Sequence, residues 1–247
     1  MRALSMAAVL TLFLSGCGSP PPAPGSRAGI AWTSRNNTYL VLDRLPIKDY
    51  PALKKFHRLR EVQFTHRTAT DEKMEALARV GLTHLYCVTM NGSSYITDRG
   101  IEALAGIPTV HSLGLEGASI TDAGLDLIAS RMQPESVNVA SCSNITINGL
   151  LKLVRTDTLT DIAFSADHLA TADVVRLLES AQNLERFEIT GPSNHLDKGA
   201  IYKAAGAKAR ARGRELRVVF QPKGSMFMDF PLPPKSKVHH ATDNDAV

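Results

Sequence analysis

Apolar and polar residues alternate in short stretches that recur along the middle of the chain. Residues 110–125, VHSLGLEGASITDAGL, show the unit most clearly. Val110, Leu113 and Leu115 are separated by small or polar residues, a pattern that predicts a half-buried strand. Residues 120–125 then predict a turn that leads into a helix, because Thr and Asp favour helix N-termini.

Imperfect copies of this unit lie on both sides of it. The middle apolar residues of six aligned copies are 23, 28, 24, 25 and 25 residues apart, and weaker copies occur at 39–42 and 216–220. The turn pattern repeats in phase at 96–101, 120–125 and, more loosely, 145–150. The aligned middle residues are Val62, Leu85, Leu113, Val137, Ile162 and Phe187.

Repeats of this length, with L-x-x-L-x-L strands and ITDxGL turns, resemble leucine-rich repeats of the long, helix-containing, ribonuclease-inhibitor-like subtype. The resemblance covers residues 40–220. It implies an α/β solenoid with parallel strands on the concave face and helices on the convex face, stabilised by stacking of neighbouring repeats. The helix positions expected to face the core are Ile101, Leu104, Ile107, Leu125, Ile128, Leu150, Leu151, Val154, Val174, Leu177 and Leu178.

The N-terminus predicts an export signal. One Arg precedes an apolar stretch at 7–14 that is too short to span a bilayer. The closing LSGC resembles a bacterial lipobox, which implies cleavage before Cys17 and lipid attachment to that residue; a plain secretory signal with an incidental Cys is the alternative. Gly18, in place of Asp, implies the outer membrane. The expected domains are 1–16 signal peptide, 17–29 lipidated Cys and Pro/Gly-rich tether, 30–220 repeat domain, and 221–247 cap segment and tail.

Charge and cysteine content narrow the possible partners. The chain carries 28 Lys and Arg against 24 Asp and Glu, an excess too small to imply nucleic acid. Its three cysteines do not form a disulfide framework. Cys87 and Cys142 fall two repeats apart, which is roughly 9.6 Å at the usual strand spacing, whereas a disulfide needs Cα atoms within about 7 Å. We therefore expect two buried thiols.

A carboxylate recurs in the turn motif, at Asp98 and Asp122. Asp71 occupies the same place in a degenerate copy of the motif. They could be metal ligands or acid–base groups. Capping of the following helix explains both their identity and their spacing, and we favour it.

Strand positions on the concave face are the main candidates for binding, because solenoids use this face for recognition. The alternative is an ordinary solvated sheet face with no partner. The candidate residues are Glu61, Gln63, His84, Tyr86, Ser112, Glu116, Asn138, Asp161, Arg186 and Glu188.

A basic cluster near the C-terminus is the second candidate. It could contact anionic lipid or polysaccharide, or be the solvated face of a terminal helix; it lacks the aromatic residues that would stack on bases. Its residues are Lys203, Lys208, Arg210, Arg212 and Arg214.

No catalytic or phosphate-binding motif occurs in the sequence. We therefore expect a non-catalytic, lipid-anchored repeat protein of the bacterial cell envelope that binds an unidentified protein through its concave face. No cofactor, metal, nucleic acid or small-molecule substrate is expected. The alternatives are a module that binds anionic lipid or polysaccharide through the basic cluster and, third, an enzyme on a repeat scaffold.

Overall fold

Strands and helices alternate along the chain in the computed structural model. The structure describes residues 30–33, 38–42, 45–64 and 67–221. The predicted signal peptide, Cys17, the tether and the segment after residue 221 lie outside these residues. Within the described part, no helix is both long enough and apolar enough to cross a bilayer.

The described strands form one nine-stranded sheet in which spatial order follows chain order. β1 pairs antiparallel with β2, and every later pairing is parallel. The strands are β1 (Ile30–Thr33), β2 (Tyr39–Leu42), β3 (Glu61–Phe64), β4 (Cys87–Thr89), β5 (Ser112–Gly114), β6 (Ser136–Val139), β7 (Asp161–Ser165), β8 (Arg186–Thr190) and β9 (Arg217–Gln221).

Helical crossovers connect the parallel strands, as a parallel sheet requires. A 3₁₀ helix at Ile47–Lys55 joins β2 to β3. The later connections contain α1 (Asp71–Val80), α2 (Asp98–Leu104), α3 (Asp122–Leu127) with a π-helical turn at Ile128–Met132, α4 (Ile147–Val154), α5 (Thr171–Ser180) and α6 (Lys198–Arg212). This succession of strand–helix units confirms the predicted α/β leucine-rich-repeat solenoid.

One aliphatic core runs between the sheet and the helices. Every helix position that the sequence predicted to face it is buried. From the sheet, alternate strand residues enter the same core and align across all the parallel strands. One such row contains Leu40, Val62, Val88, Leu113, Val137, Ile162 and Phe187.

The predicted alignment of the second repeat was wrong by three residues. Val88, and not Leu85, pairs with Val62 and Leu113. The aligned residues are then 26, 25, 24, 25 and 25 apart, which is more even than the predicted series. Leu85 is buried just before the strand, so both residues are apolar and either fits the strand pattern.

The turn motif builds a joint between successive repeats. Thr97, Thr121 and Thr146 cap α2, α3 and α4 as expected, because each hydroxyl accepts from a helix N–H. The Asp that follows Thr does a different job from the one predicted. Asp98 occupies the first position of α2, and its carboxylate accepts from the backbone N–H and the hydroxyl of Thr121 in the next repeat, at 2.8 and 2.6 Å.

The same joint occurs in two other places. Asp71 accepts from Thr97 at 2.9 and 2.6 Å, and Asp122 accepts from Thr146 at 2.8 and 2.5 Å. Gly in the motif makes room for this carboxylate. A Cβ atom added at Gly124 would lie 2.3 Å from Oδ1 of Asp98. These Asp residues are therefore structural acceptors.

The two cysteines within the described residues are free and buried, as predicted. The Cys142 thiol contacts the Leu115 carbonyl of the preceding repeat at 3.1 Å. Cys87 pairs with Glu61 and Ser112, so it lies on the sheet face opposite the core. Burial raises the pKa of each thiol to about 12, which makes both unreactive near neutral pH.

Candidate interaction face of the sheet

The sheet has a second face, opposite the core, which we call the open face. Strand residues alternate between the two sides, so the register defines rows across it. One row contains Tyr39, Glu61, Cys87, Ser112, Ser136, Asp161, Arg186 and Arg217. The next contains Val41, Gln63, Thr89, Gly114, Asn138, Ala163, Glu188 and Val219.

Small side chains occupy the middle of the open face, at Ser112, Gly114, Ser136 and Ala163. Gly114 is closely packed, because a Cβ atom there would lie 2.9 Å from a side-chain atom of Thr89. Larger polar side chains stand on either side of this middle part. The middle strands are therefore rich in small side chains, although Asn138 and Asp161 also lie there.

Glu61 lies in the polar group on the N-terminal side. Beside it, the Tyr39 hydroxyl is hydrogen-bonded to Gln63. Burial raises the pKa of Glu61 to about 7, so this carboxyl is partly protonated at neutral pH. It also helps to raise the pKa of the neighbouring Cys87 thiol.

The C-terminal side is more highly charged. Arg186 pairs with Oε2 of Glu188 at 2.8 Å, and the Glu188 side chain is only 2% exposed. Burial raises the pKa of Glu188, although Arg186 opposes the shift. Burial, followed by repulsion from Glu188, raises the pKa of Glu116. Burial also raises the pKa of Asp161. These carboxylates are therefore incompletely solvated.

Asn138 lies between two small residues, Gly114 on β5 and Ala163 on β7. Its side-chain oxygen accepts from the backbone N–H of Ala140 at 2.9 Å. Its Nδ2 atom is buried and has no partner, and Oε1 of Glu188 is in the same condition. These two unpartnered groups, one a donor and one an acceptor, stand on either side of Ala163 in one row.

Eight of the ten predicted face residues lie on the open face or at the strand ends beside it. His84 and Tyr86 do not, because of the register error: both precede β4, and Cys87 and Thr89 hold the positions predicted for them. Even repeat spacing would have identified Thr89 from the sequence. Tyr86 instead lies directly before β4, at the end of the sheet where the parallel strands begin. Its hydroxyl donates to Glu135 at 2.7 Å and its ring contacts His111.

The basic cluster divides into two kinds of residue. Lys208 donates to the carbonyl of Glu179 at 2.6 Å, and Arg212 donates to that of Leu184 at 3.1 Å, so both attach α6 to the preceding repeat. Lys203, Arg210 and Arg214 are exposed. A partner of the basic cluster could therefore contact Lys203, Arg210 and Arg214 while the Lys208 and Arg212 hydrogen bonds stay intact.

Within the described residues, no group of three His, Cys, Asp or Glu side chains is arranged to hold a metal ion. The open face itself carries hydrogen-bonding and charged side chains, among them Gln63, Asn138 and Arg186.

No protein-family model and no curated protein matches the chain. Among solved structures, a tropomodulin C-terminal domain from Caenorhabditis elegans has 13% identity and a TM-score of 0.35, covering 68% of this chain and 96% of that one. Leiomodin-1 actin-binding site 2 has 15% identity and a TM-score of 0.35, covering 68% and 91%. Similarity at this level does not indicate a function. The fold is defined by the strand order and helical crossovers of the chain itself.

Proposed function

We propose that the chain is a non-catalytic, lipid-anchored leucine-rich-repeat protein of the bacterial cell envelope that binds a protein partner through the open face. One observation carries the proposal. The joint residues Thr, Asp and Gly recur at three successive joints, whereas the open-face residues differ between most neighbouring strands. The joint residues repeat because they are needed to stack one repeat on the next. The open-face residues are not under that requirement, so they can vary to suit a partner.

Site-specific photo-crosslinking in native cells tests the protein-binding role. A benzophenone side chain is placed on the open face at Gln63 or Asp161, and at exposed Arg155 beside α4 as the control. We expect the same protein adduct from both open-face positions and none from Arg155. Adducts from Arg155 alone, or from none of the three, would contradict the proposal.

The lipid anchor is a separate part of the proposal and rests on the sequence motif that ends at Cys17. We expect Cys17→Ser to abolish labelling by radioactive palmitate and to move the protein from the membrane fraction to the soluble fraction. Labelling that persists in the variant would rule out lipid attachment at this residue. Several acyl chains on one residue give stable anchoring, so the change in fractionation should be nearly complete.

A second candidate function follows from the exposed cations of the basic cluster, which lie on α6 and just after its end. Lys203, Arg210 and Arg214 could bind anionic headgroups. The test is co-sedimentation with phosphatidylglycerol vesicles of the full chain carrying Cys17→Ser, which removes the proposed lipid anchor. Reversal of these three residues to Glu should abolish vesicle binding if they form the site, and Arg212 is left unchanged because it holds α6 in place. Unchanged sedimentation would eliminate this candidate.

A further inference from the structure

The first repeat carries a group of exposed cations, which we call the basic patch. They lie on the 3₁₀ helix between β2 and β3 and on the turn that follows it. Residues 46–60 contain one carboxylate, Asp49, and it is half-buried. Five cations therefore stand against a single acid. The members of the basic patch are Lys48, Lys54, Lys55, Arg58 and Arg60, all exposed.

Apolar residues at every third position attach this segment to the core. Leu53, Phe56 and Leu59 are buried. The Phe56 N–H donates to the Leu53 carbonyl and the Leu59 N–H donates to the Phe56 carbonyl, each at 2.9 Å, so the backbone turns between one apolar residue and the next. The cations occupy the positions between these residues, and the packing of the segment therefore holds them on the surface.

Two members of the basic patch rest against aromatic rings. Nζ of Lys55 lies 5.2 Å from the ring centroid of Phe56, and Cζ of Arg60 lies 5.8 Å from that of Tyr86. Tyr86 belongs to the next repeat, and its N–H donates to the Arg60 carbonyl at 2.7 Å. Such contacts order the side chain while its charged end stays in water. Less conformational freedom is then lost when these cations meet an anion.

The cations of the basic patch are not neutralised by described carboxylates. On α1 to α4, several exposed cations, such as Arg99 and Lys152, have a carboxylate oxygen at 2.7–4.0 Å. Within the described part of the chain, no member of the basic patch has such an ion pair. The helix C-terminus favours Lys54 and Lys55, but Arg58 lies beyond it.

The charge at this end of the sheet changes sign along the solenoid. Later repeats carry exposed carboxylates close to the starts of their strands, at Glu135, Asp157 and Glu185. An anionic surface would therefore attract the first repeat and repel the later ones. Contact at this end would also leave the open face uncovered, because that face lies along the strands.

We infer that the basic patch docks the first repeat on an anionic membrane surface. The cations project from a helix end and a turn, so they can meet a flat surface, and Lys and Arg bind lipid phosphates. Ile30 is 13 residues after Cys17, a span of at most about 45 Å. This inference rests on the proposed lipid anchor, which would keep the basic patch within reach of the headgroups.

Vesicle binding by the full chain carrying Cys17→Ser tests the inference. The probe vesicles contain one part phosphatidylglycerol to two parts phosphatidylcholine, and vesicles of phosphatidylcholine alone measure any apolar binding. We expect at least tenfold tighter binding to the anionic vesicles at about 0.15 M salt, and loss of most of this preference at about 1 M salt. Equal binding to the two kinds of vesicle would overturn the inference.

Matched charge reversals then locate the contact. Lys54→Glu, Lys55→Glu and Arg58→Glu combined should weaken binding to the anionic vesicles at least tenfold. The control reverses Lys203, Arg210 and Arg214, which makes the same change in net charge at the other end of the repeat domain, and should leave binding within twofold. Equal weakening by both triple variants, or weakening by the control alone, would overturn the inference.

A neutral variant guards against misfolding. Lys54, Lys55 and Arg58 are changed together to Gln, and thermal unfolding is measured for every variant. We expect the folded Gln variant to bind the anionic vesicles at least threefold more weakly, and unchanged binding would overturn the inference. Binding of the wild-type patch to a fluorescent polyglutamate peptide, without preference for anionic vesicles, would assign it to an acidic protein and would also overturn it.

Failure of this inference is distinct from failure of the lipid anchor. The vesicle assay uses a chain without the anchoring cysteine, whereas palmitate labelling of the wild type tests the anchor directly. If labelling depends on Cys17 but the Cys17→Ser chain shows no preference for anionic vesicles, the docking inference is wrong while the anchor stands.

Discussion

Glu61 shows how the open face changes the chemistry of a single residue. Its carboxyl lies beside Tyr39 and Cys87, and burial raises its pKa to about 7. An unfolded chain would leave the same group near its usual value of about 4.3. The folded state therefore binds this proton more tightly than the unfolded state does.

The sign of the resulting pH dependence follows from this difference. Because the folded-state pKa is the higher one, stability is greatest below the unfolded value and falls as pH rises towards about 7. We predict that the melting temperature of the wild type decreases between pH 5 and pH 8, and that Glu61→Gln reduces this decrease and raises stability at pH 8. Thermal unfolding monitored by circular dichroism measures both effects.

The matched control for this prediction is Glu102→Gln on α2, where the side chain is 67% exposed. It should leave the slope of melting temperature against pH unchanged, because it makes the same substitution at an exposed position away from the open face. A slope that is identical in the wild type and in Glu61→Gln would contradict the assignment of the pH dependence to Glu61.

At the scale of the elements, the joints between repeats are the features most sensitive to substitution. Gly124→Ala places a Cβ atom 2.3 Å from Oδ1 of Asp98, so the carboxylate must move from Thr121. We predict a loss of about 1–3 kcal/mol in the free energy of unfolding, the range typical of overpacking. Urea denaturation measures it.

The double variant identifies the cause. Removing the carboxylate with Asp98→Ala is itself destabilising, but Gly124→Ala added to it should have little further effect, because the clash is gone. Gly206→Ala in α6 is the control, since its Cβ atom would meet only the end of the Arg210 side chain at 3.4 Å. It should stabilise the chain by about 0.5–1 kcal/mol through helix propensity. If the two substitutions lower the free energy of unfolding additively, the clash with Asp98 is not the reason that Gly124→Ala is destabilising.

The elements also show how far the sequence can be interpreted without coordinates. Apolar spacing predicted the sheet and the helix faces, because both depend only on which residues can be buried. It misplaced β4, because Leu85 and Val88 both satisfy the apolar pattern and only one pairs with Val62. The unpartnered atoms of Asn138 and Glu188 could not be predicted, since satisfaction of a polar group depends on its three-dimensional neighbours.

For the whole molecule, stability should decrease towards the C-terminal strand. The residues of β9 are exposed or half-buried, whereas Ile162, Ala163 and Phe164 in β7 are buried. In a solenoid each repeat is stabilised by its neighbours, so a poorly covered terminal repeat opens first. We predict that backbone amides of β9 exchange with deuterium at least tenfold faster than those of β7. Hydrogen exchange followed by mass spectrometry checks this, and equal protection would contradict it.

The joint between repeats has a consequence for how such a chain can grow. Asp98 and Thr121 bound a segment of one helix and one strand, and each end of it carries half of a joint. A tandem in-frame duplication of residues 98–121 would join Thr121 to a second copy of Asp98, which then meets the second copy of Thr121. The lengthened protein would gain a complete repeat with every existing joint intact. Gene duplication can therefore extend the open face by whole strands, leaving each new strand free to diverge.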